Sequence, residues 1–209
     1  MSTRTYKPSL QTKTNILQKA IELFNELGTA SVSQNLLAEA LGISAGNLQY
    51  HYKNKEEIIR EILEEMFKQF DVIYEPIEGP FTFDTLRHLM RLNFDIIWKY
   101  RFFYRELGAL LRNDKILARR FREIQEKRFT DQENILRQLA GSGVVRSDLS
   151  PEELRNIIQI GWVLGNTWLS FAESMGQKIN EAALKQAVEI MVQHYKPYLK
   201  VQNEKNIPS

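Results

Sequence analysis

The sequence predicts an all-α protein of about nine helices, and three observations carry that prediction. Apolar residues recur at helical spacing along almost the whole chain. No short run alternates apolar with polar residues as a half-buried strand does. Capping residues, glycines and prolines fall between the periodic segments, where helices start and stop.

The first helix is expected over about residues 10–27, with Ile16, Ala20, Leu23, Phe24 and Leu27 on one stripe and Gly28 as its stop. Two short helices follow, at about residues 34–41 and 45–51, capped by Ser33 and Ser44 and joined only by Gly42 and Ile43. That spacing is a tight helix-turn-helix. Asn54 caps a fourth helix, from residue 55 to about 70, whose opening Glu56 and Glu57 suit the positive end of the helix dipole. Residues 74–80, with Pro76, Gly79 and Pro80, read as a break. Further helices are expected at about residues 83–100, 102–111, 115–139, 151–175 and 181–198. Gly141 and Gly143 end the third of these, while Ser150, Pro151, Glu152 and Glu153 open the fourth. The chain thus divides into a helix-turn-helix domain over residues 1–53, a connecting helix over 54–73, a C-terminal helical bundle over 74–200 and a frayed polar tail over 201–209.

At 209 residues and 43% hydrophobic content the chain can build a sizeable core. Its 28 basic residues nearly balance 26 acidic ones, so any argument for a polyanionic partner rests on local pattern. The absence of cysteine excludes disulfides, thiolate metal sites and a thiol nucleophile, and suits a reducing cytoplasm. The N-terminus lacks the apolar core of a secretory signal, and the most apolar stretch, residues 157–172, is interrupted by Gln159, Asn166 and Thr167. A soluble cytoplasmic protein with no membrane partner is the expectation.

Enzyme readings fail on the residues. Gly42, Ser44 and Gly46 match a nucleophile elbow in spacing, but an elbow needs a strand before it, and a helical pattern stands there instead. His51, His88 and His194 lie on three different predicted helices, and none follows a glutamate at the spacing of a helical metal site. No catalytic residue, metal or cofactor is expected.

In a helix-turn-helix the second helix enters the major groove, so its first turns need small or hydrogen-bonding side chains. Ala45 and Gly46 permit close approach, Asn47 and Gln49 can donate and accept at base edges, and Leu48 points back toward Leu37, Ala38 and Leu41. Tyr50, His51 and Lys55 can reach phosphates; His51 also suits a plain capping role at the helix C-terminus.

This ordered pattern resembles the tetracycline-repressor (TetR) family of bacterial regulators. The resemblance runs over about residues 12–63 and rests on Ile16 and Leu17, Ala20 to Phe24, Gly28, Leu37 to Glu39, Gly42 to Ser44, Gly46 to Leu48, Tyr50 to Tyr52, and Lys55 with Glu56. It implies a homodimeric repressor binding a double-stranded DNA operator. Residues 45–49 would face bases, Tyr50, His51 and Lys55 the phosphate backbone, and Ser33 would cap the second helix and touch a phosphate. Gln49 stands where the family usually has an aromatic residue and Ala45 where it often has lysine, so operator preference does not transfer. Beyond about residue 65 the resemblance is one of helix number and length, with an unknown small-molecule effector bound in a C-terminal ligand-binding and dimerisation bundle. The rival reading is a helical ligand-binding or protein-interaction module that does not bind DNA.

Two sets of C-terminal candidates follow. Asn93, Trp98, Phe102, Trp162 and Asn166 are candidate pocket residues, because a polar side chain on an apolar stripe needs a partner, whether protein, water or ligand. Gly161, Gly165, Trp168 and Ala172 share one helical face, and Leu184, Val188, Met191 and Tyr195 line the last helix. Together they suggest a four-helix dimer interface, against the alternative of packing within the subunit. From Arg87 to Arg137 the chain carries 13 basic residues against seven acids, a solvated face or an attraction for an anionic ligand.

Overall fold

The computed structural model of the protein describes residues 6–73 and 81–200. The proposed break over 74–80 and the tail over 201–209 lie outside the described residues. Among those described, the fold is all-α, with nine α-helices in the order the sequence predicts and no named strand.

The N-terminal unit is α1 (Tyr6–Leu27), α2 (Gln34–Leu41) and α3 (Ala45–His51). α1 starts four residues earlier than its stripe suggests. Ser33 and Ser44 cap α2 and α3 by accepting from Leu36 N at 3.1 Å and Asn47 N at 3.2 Å. Between them Gly42 adopts φ 67°, the left-handed conformation that ends α2 and turns the chain within two residues. Asn54 caps α4 (Lys55–Ile73) through Glu57 N at 2.9 Å. α4 runs past the expected residue 70, and its last turn buries Ile73.

The body comprises α5 (Phe83–Lys99), α6 (Arg101–Asn113), α7 (Lys115–Gly141), α8 (Pro151–Ser174) and α9 (Glu181–Tyr195). Capping boxes at Thr82 and Ser150 and caps at Asp114 and Asn180 fix four of the five starts. α9 stops three residues short of its expected end, and Lys196–Tyr198 forms a 3-10 turn. Pro197 is the reason: it lacks an N–H and disfavours α-helical backbone at the residue before it. Leu199 and Lys200 then return along the loop after α7, where Arg146 N donates to Tyr198 O at 2.9 Å and Lys200 N to Val144 O at 2.7 Å.

One continuous core joins head and body. α4 packs on α1 and α5, α6 on α1, α7 and α8, and α9 on α5 and α8. The head is tied on through α6. Phe102, at the start of α6, is fully buried with its ring 5.2 Å from that of Phe24 in α1. Asn25 donates to Lys99 O at 2.8 Å and accepts from Phe102 N at 3.0 Å, so one buried amide satisfies the backbone where α5 passes into α6.

Candidate functional site

α3 stands out from the head with a fixed back and an open front. Leu48 is fully buried, while Ala45, Gly46, Asn47 and Gln49 are exposed and Tyr50 is 84% exposed. A helix of only two turns is marginal by itself, so its position depends on that anchor and on its two ends. Ser44 holds the first turn, and Gln34 of α2 donates to Tyr52 O at 3.0 Å just beyond the last.

The ring of Tyr52 is buried beneath the ammonium of Lys13 at 5.0 Å. Burial, and then the nearby Glu61 carboxylate, push its phenol well above the ordinary value, so Tyr52 remains a neutral anchor. Around α3, Ser33 is exposed and His51 half-buried, its ring edge-on to Tyr50 at 5.3 Å. Lys55 is half-buried, and its ammonium donates to the backbone carbonyl of Thr29. The candidate DNA residues therefore belong to α3, the cap of α2 and the start of α4, with Lys55 partly occupied inside the head.

A cavity runs through the body, walled by side chains from all of α4 to α9. Asn93, Trp162 and Asn166 line it. Trp98 and Phe102 do not, which corrects two of the pocket candidates. Trp98 lies under the Arg101 guanidinium at 4.5 Å, and Phe102 belongs to the joint with α1. Sequence reasoning missed Gln125, Arg128 and Gln132, which α7 turns toward the cavity. Their signal was available in principle, since they share a face of α7 with Phe121, but a long polar helix hides it.

The face of α8 proposed for dimerisation points inward. Trp168 meets Phe94 edge-on at 5.5 Å, and Ala172, Leu184, Val188 and Met191 are buried in the subunit core. At Gly161 a Cβ would collide with the hydroxyl of Tyr195, so the gap left by this small residue is filled by α9 of the same chain. Gly165 lines the cavity with Gly161 and Tyr195. Within the chain α9 packs on both α5 and α8 and covers most of these two stripes, while Gly165 has open space beside it. The large apolar side chains left exposed on α8 and α9 are Ile160, Val163 and Phe171 of α8 and Ile190 of α9, with Met175 just past the end of α8.

The basic run of α5 to α7 is largely consumed in ion pairs: Arg87 with Glu189, Arg91 with Glu181, Arg105 with Glu173, Arg120 with Glu64 and Arg128 with Asp71. It clamps helices together. Among the described residues no group of three or more histidine or acidic side chains is placed to hold a metal ion, and no helix is long and apolar enough to cross a membrane.

Comparison with known proteins agrees with this architecture. A family profile described as bacterial regulatory proteins, tetR family, matches residues 16–62, and one described as bacterial transcriptional repressor matches residues 64–207. The chain is 31% identical over 99 residues to the biofilm operon icaADBC HTH-type negative transcriptional regulator IcaR of Staphylococcus epidermidis, a match covering 46% of this chain and 54% of that protein. It is 38% identical over 69 residues to the HTH-type transcriptional regulator UidR of Escherichia coli, covering 32% and 35%. The chain thus spans about half the length of the first curated relative and about a third of the second. Over its length it superposes on a TetR-family transcriptional regulator from Marinobacter aquaeolei with a TM-score of 0.81 and 30% identity, covering 93% of this chain and 94% of that one. With both profiles matched in order along the chain and the same all-α fold, the protein belongs to the TetR family of bacterial transcriptional regulators.

Proposed function

We propose that the chain is a ligand-responsive repressor that acts in the cytoplasm as a homodimer, setting the two copies of α3 into successive major-groove faces of a palindromic operator. The observation that carries this reading is the presentation of α3, with exposed Asn47 and Gln49 on either side of the buried Leu48. Such amides pair bidentately with adenine edges, and Ala45 and Gly46 let the backbone come close. Ser33, Tyr50, His51 and Lys55 serve the phosphates and set register. Lys55 keeps two ammonium N–H donors beyond the one spent on Thr29.

The two-fold contact in this reading lies on Ile160, Val163 and Phe171 of α8, Met175 at its end and Ile190 of α9, since exposed apolar side chains are what a subunit interface covers. A ligand in the body cavity would reach the head through α6. Tyr104 lines the cavity, and the next two residues, Arg105 and Glu106, hold Asn25 O at 3.2 Å and Thr29 N at 2.9 Å. Such a ligand switches the protein only if it binds the two states with different affinity.

The test is selection of random duplexes with the purified protein at near-physiological salt. Enrichment of a palindrome that Asn47→Ala/Gln49→Ala does not recover supports the reading. If a confirmed dimer free of bound ligand enriches nothing, the reading fails.

A further inference from the structure

We propose that the ligand of the body cavity is an uncharged, flat, largely apolar molecule carrying carbonyl or hydroxyl groups; this rests on the reading of the chain as a ligand-responsive regulator. Charge decides the matter first. Among the described lining residues there is no aspartate or glutamate, and Arg128 is the one cation. Its guanidinium is already compensated, donating to Asp71 at 2.9 Å and to the Phe67 carbonyl at 2.8 Å while lying 4.6 and 4.9 Å from the ring centroids of Phe67 and Phe70. A cationic ligand would leave water for a lining with no carboxylate among the described residues, a desolvation cost that those residues do not offset. An anion would have to compete with Asp71 for Arg128, whose charge that carboxylate already offsets.

Shape and hydrogen bonding then narrow the class. Phe67, Phe70, Tyr104, Phe121 and Trp162 present rings from four different helices, walls that suit the faces of a flat ligand. Beside Arg128 and the Tyr104 and Tyr195 hydroxyls, four of the polar groups among them are amides. Two are engaged: Asn93 donates to Leu89 O at 2.8 Å, and Gln132 accepts from Trp162 Nε1 at 2.6 Å. The Gln125 and Asn166 amides line the cavity with no hydrogen-bond partner among the described residues. An amide both donates and accepts, so each can meet a carbonyl or a hydroxyl, and neither selects for charge.

The experiment is isothermal titration calorimetry on the full-length protein. Its probes are two uncharged polycyclic ketones, naringenin and progesterone, the planar cation ethidium, and the anion 8-anilinonaphthalene-1-sulfonate. Saturable binding of at least one ketone, about tenfold or more tighter than either charged probe, is the expected result. Asn166→Leu and Gln125→Leu should each weaken it by about tenfold, the effect of one lost hydrogen bond, with the unfolding temperature unchanged. The proposal is overturned if ethidium or the sulfonate binds as tightly as the ketones, if neither ketone binds at its solubility limit, or if both variants bind the ketone as the wild type does. Operator binding by the unliganded protein, measured on the same preparations, reads the repressor proposal alone, so the two can fail separately.

Discussion

Glu106 of α6 takes both donors of Thr29, the backbone N–H at 2.9 Å and the side-chain hydroxyl, and so ties the turn after α1 to the body. Thr29 is 7% exposed, and its carbonyl accepts from Lys55 at the start of α4. Three elements thus meet at one residue. Glu106→Ala leaves two poorly solvated donors without an acceptor and is expected to cost about 1–3 kcal/mol in urea unfolding. Glu106→Gln, which keeps one acceptor, should cost about half as much. Wild-type stability in both variants would show that the tie is not made in solution.

Leu48 and Tyr50 separate the two faces of α3. Leu48→Ala removes a fully buried side chain and should destabilise the protein by about 2–5 kcal/mol. Tyr50→Ala, at an 84% exposed position, should change stability by less than about 0.5 kcal/mol yet weaken DNA binding. Paired melting curves and gel-shift titrations separate these outcomes, and equal thermal losses would mean that α3 is docked differently.

Trp168 and Phe171, three residues apart on α8, make opposite predictions about the dimer. Phe171→Glu places a charge on the exposed stripe and should shift the protein to monomers in light scattering. Trp168→Ala should keep the dimer but cost about 3–5 kcal/mol, because its ring packs on Phe94 inside the subunit. A dimer that survives Phe171→Glu together with Val163→Glu places the two-fold elsewhere.

Asp114 caps α7 through the N–H groups of Ile116 and Leu117 and accepts from Arg60 of α4 at 2.7 Å. Burial raises its carboxyl pKa, but the Arg60 hydrogen bond and charge and the two backbone donors outweigh burial and leave it below its ordinary 3.8. A carboxyl depressed on folding adds stability that is complete above about pH 4–5 and fades as pH falls through its folded value. Asp114→Asn should therefore be less stable than wild type at pH 7, with the two stability curves converging below about pH 4. Parallel curves across that range would contradict the assignment.

What the sequence made legible was local. Ser33, Gly42, Ser44 and Asn54 declare the ends of three helices by their own backbone chemistry, and all four act where they stand. Which way an apolar stripe faces is not local. The stripe through Gly161 and Trp168 reads the same whether α9 of its own chain or a second subunit covers it, and only the position of Tyr195 over Gly161 decides. Phe102 was equally ambiguous, because an aromatic at a helix start packs a joint or lines a cavity according to what α1 brings against it, here Phe24. The bond from Lys55 to Thr29 joins residues too distant in sequence for helical spacing to reveal.

The most direct test of the central claim is fluorescence anisotropy on a selected palindromic duplex and a scrambled one, followed from about 50 to 200 mM salt. The account predicts two chains per duplex, a preference for the palindrome of about a thousandfold or more, and a linear fall of log affinity with log salt, because phosphate contacts release counterions. Asn47→Ala should remove most of the preference with little change in slope, while Tyr50→Ala lowers affinity on both duplexes. Equal affinity for the two duplexes, or binding indifferent to salt, would contradict a sequence-reading role for α3.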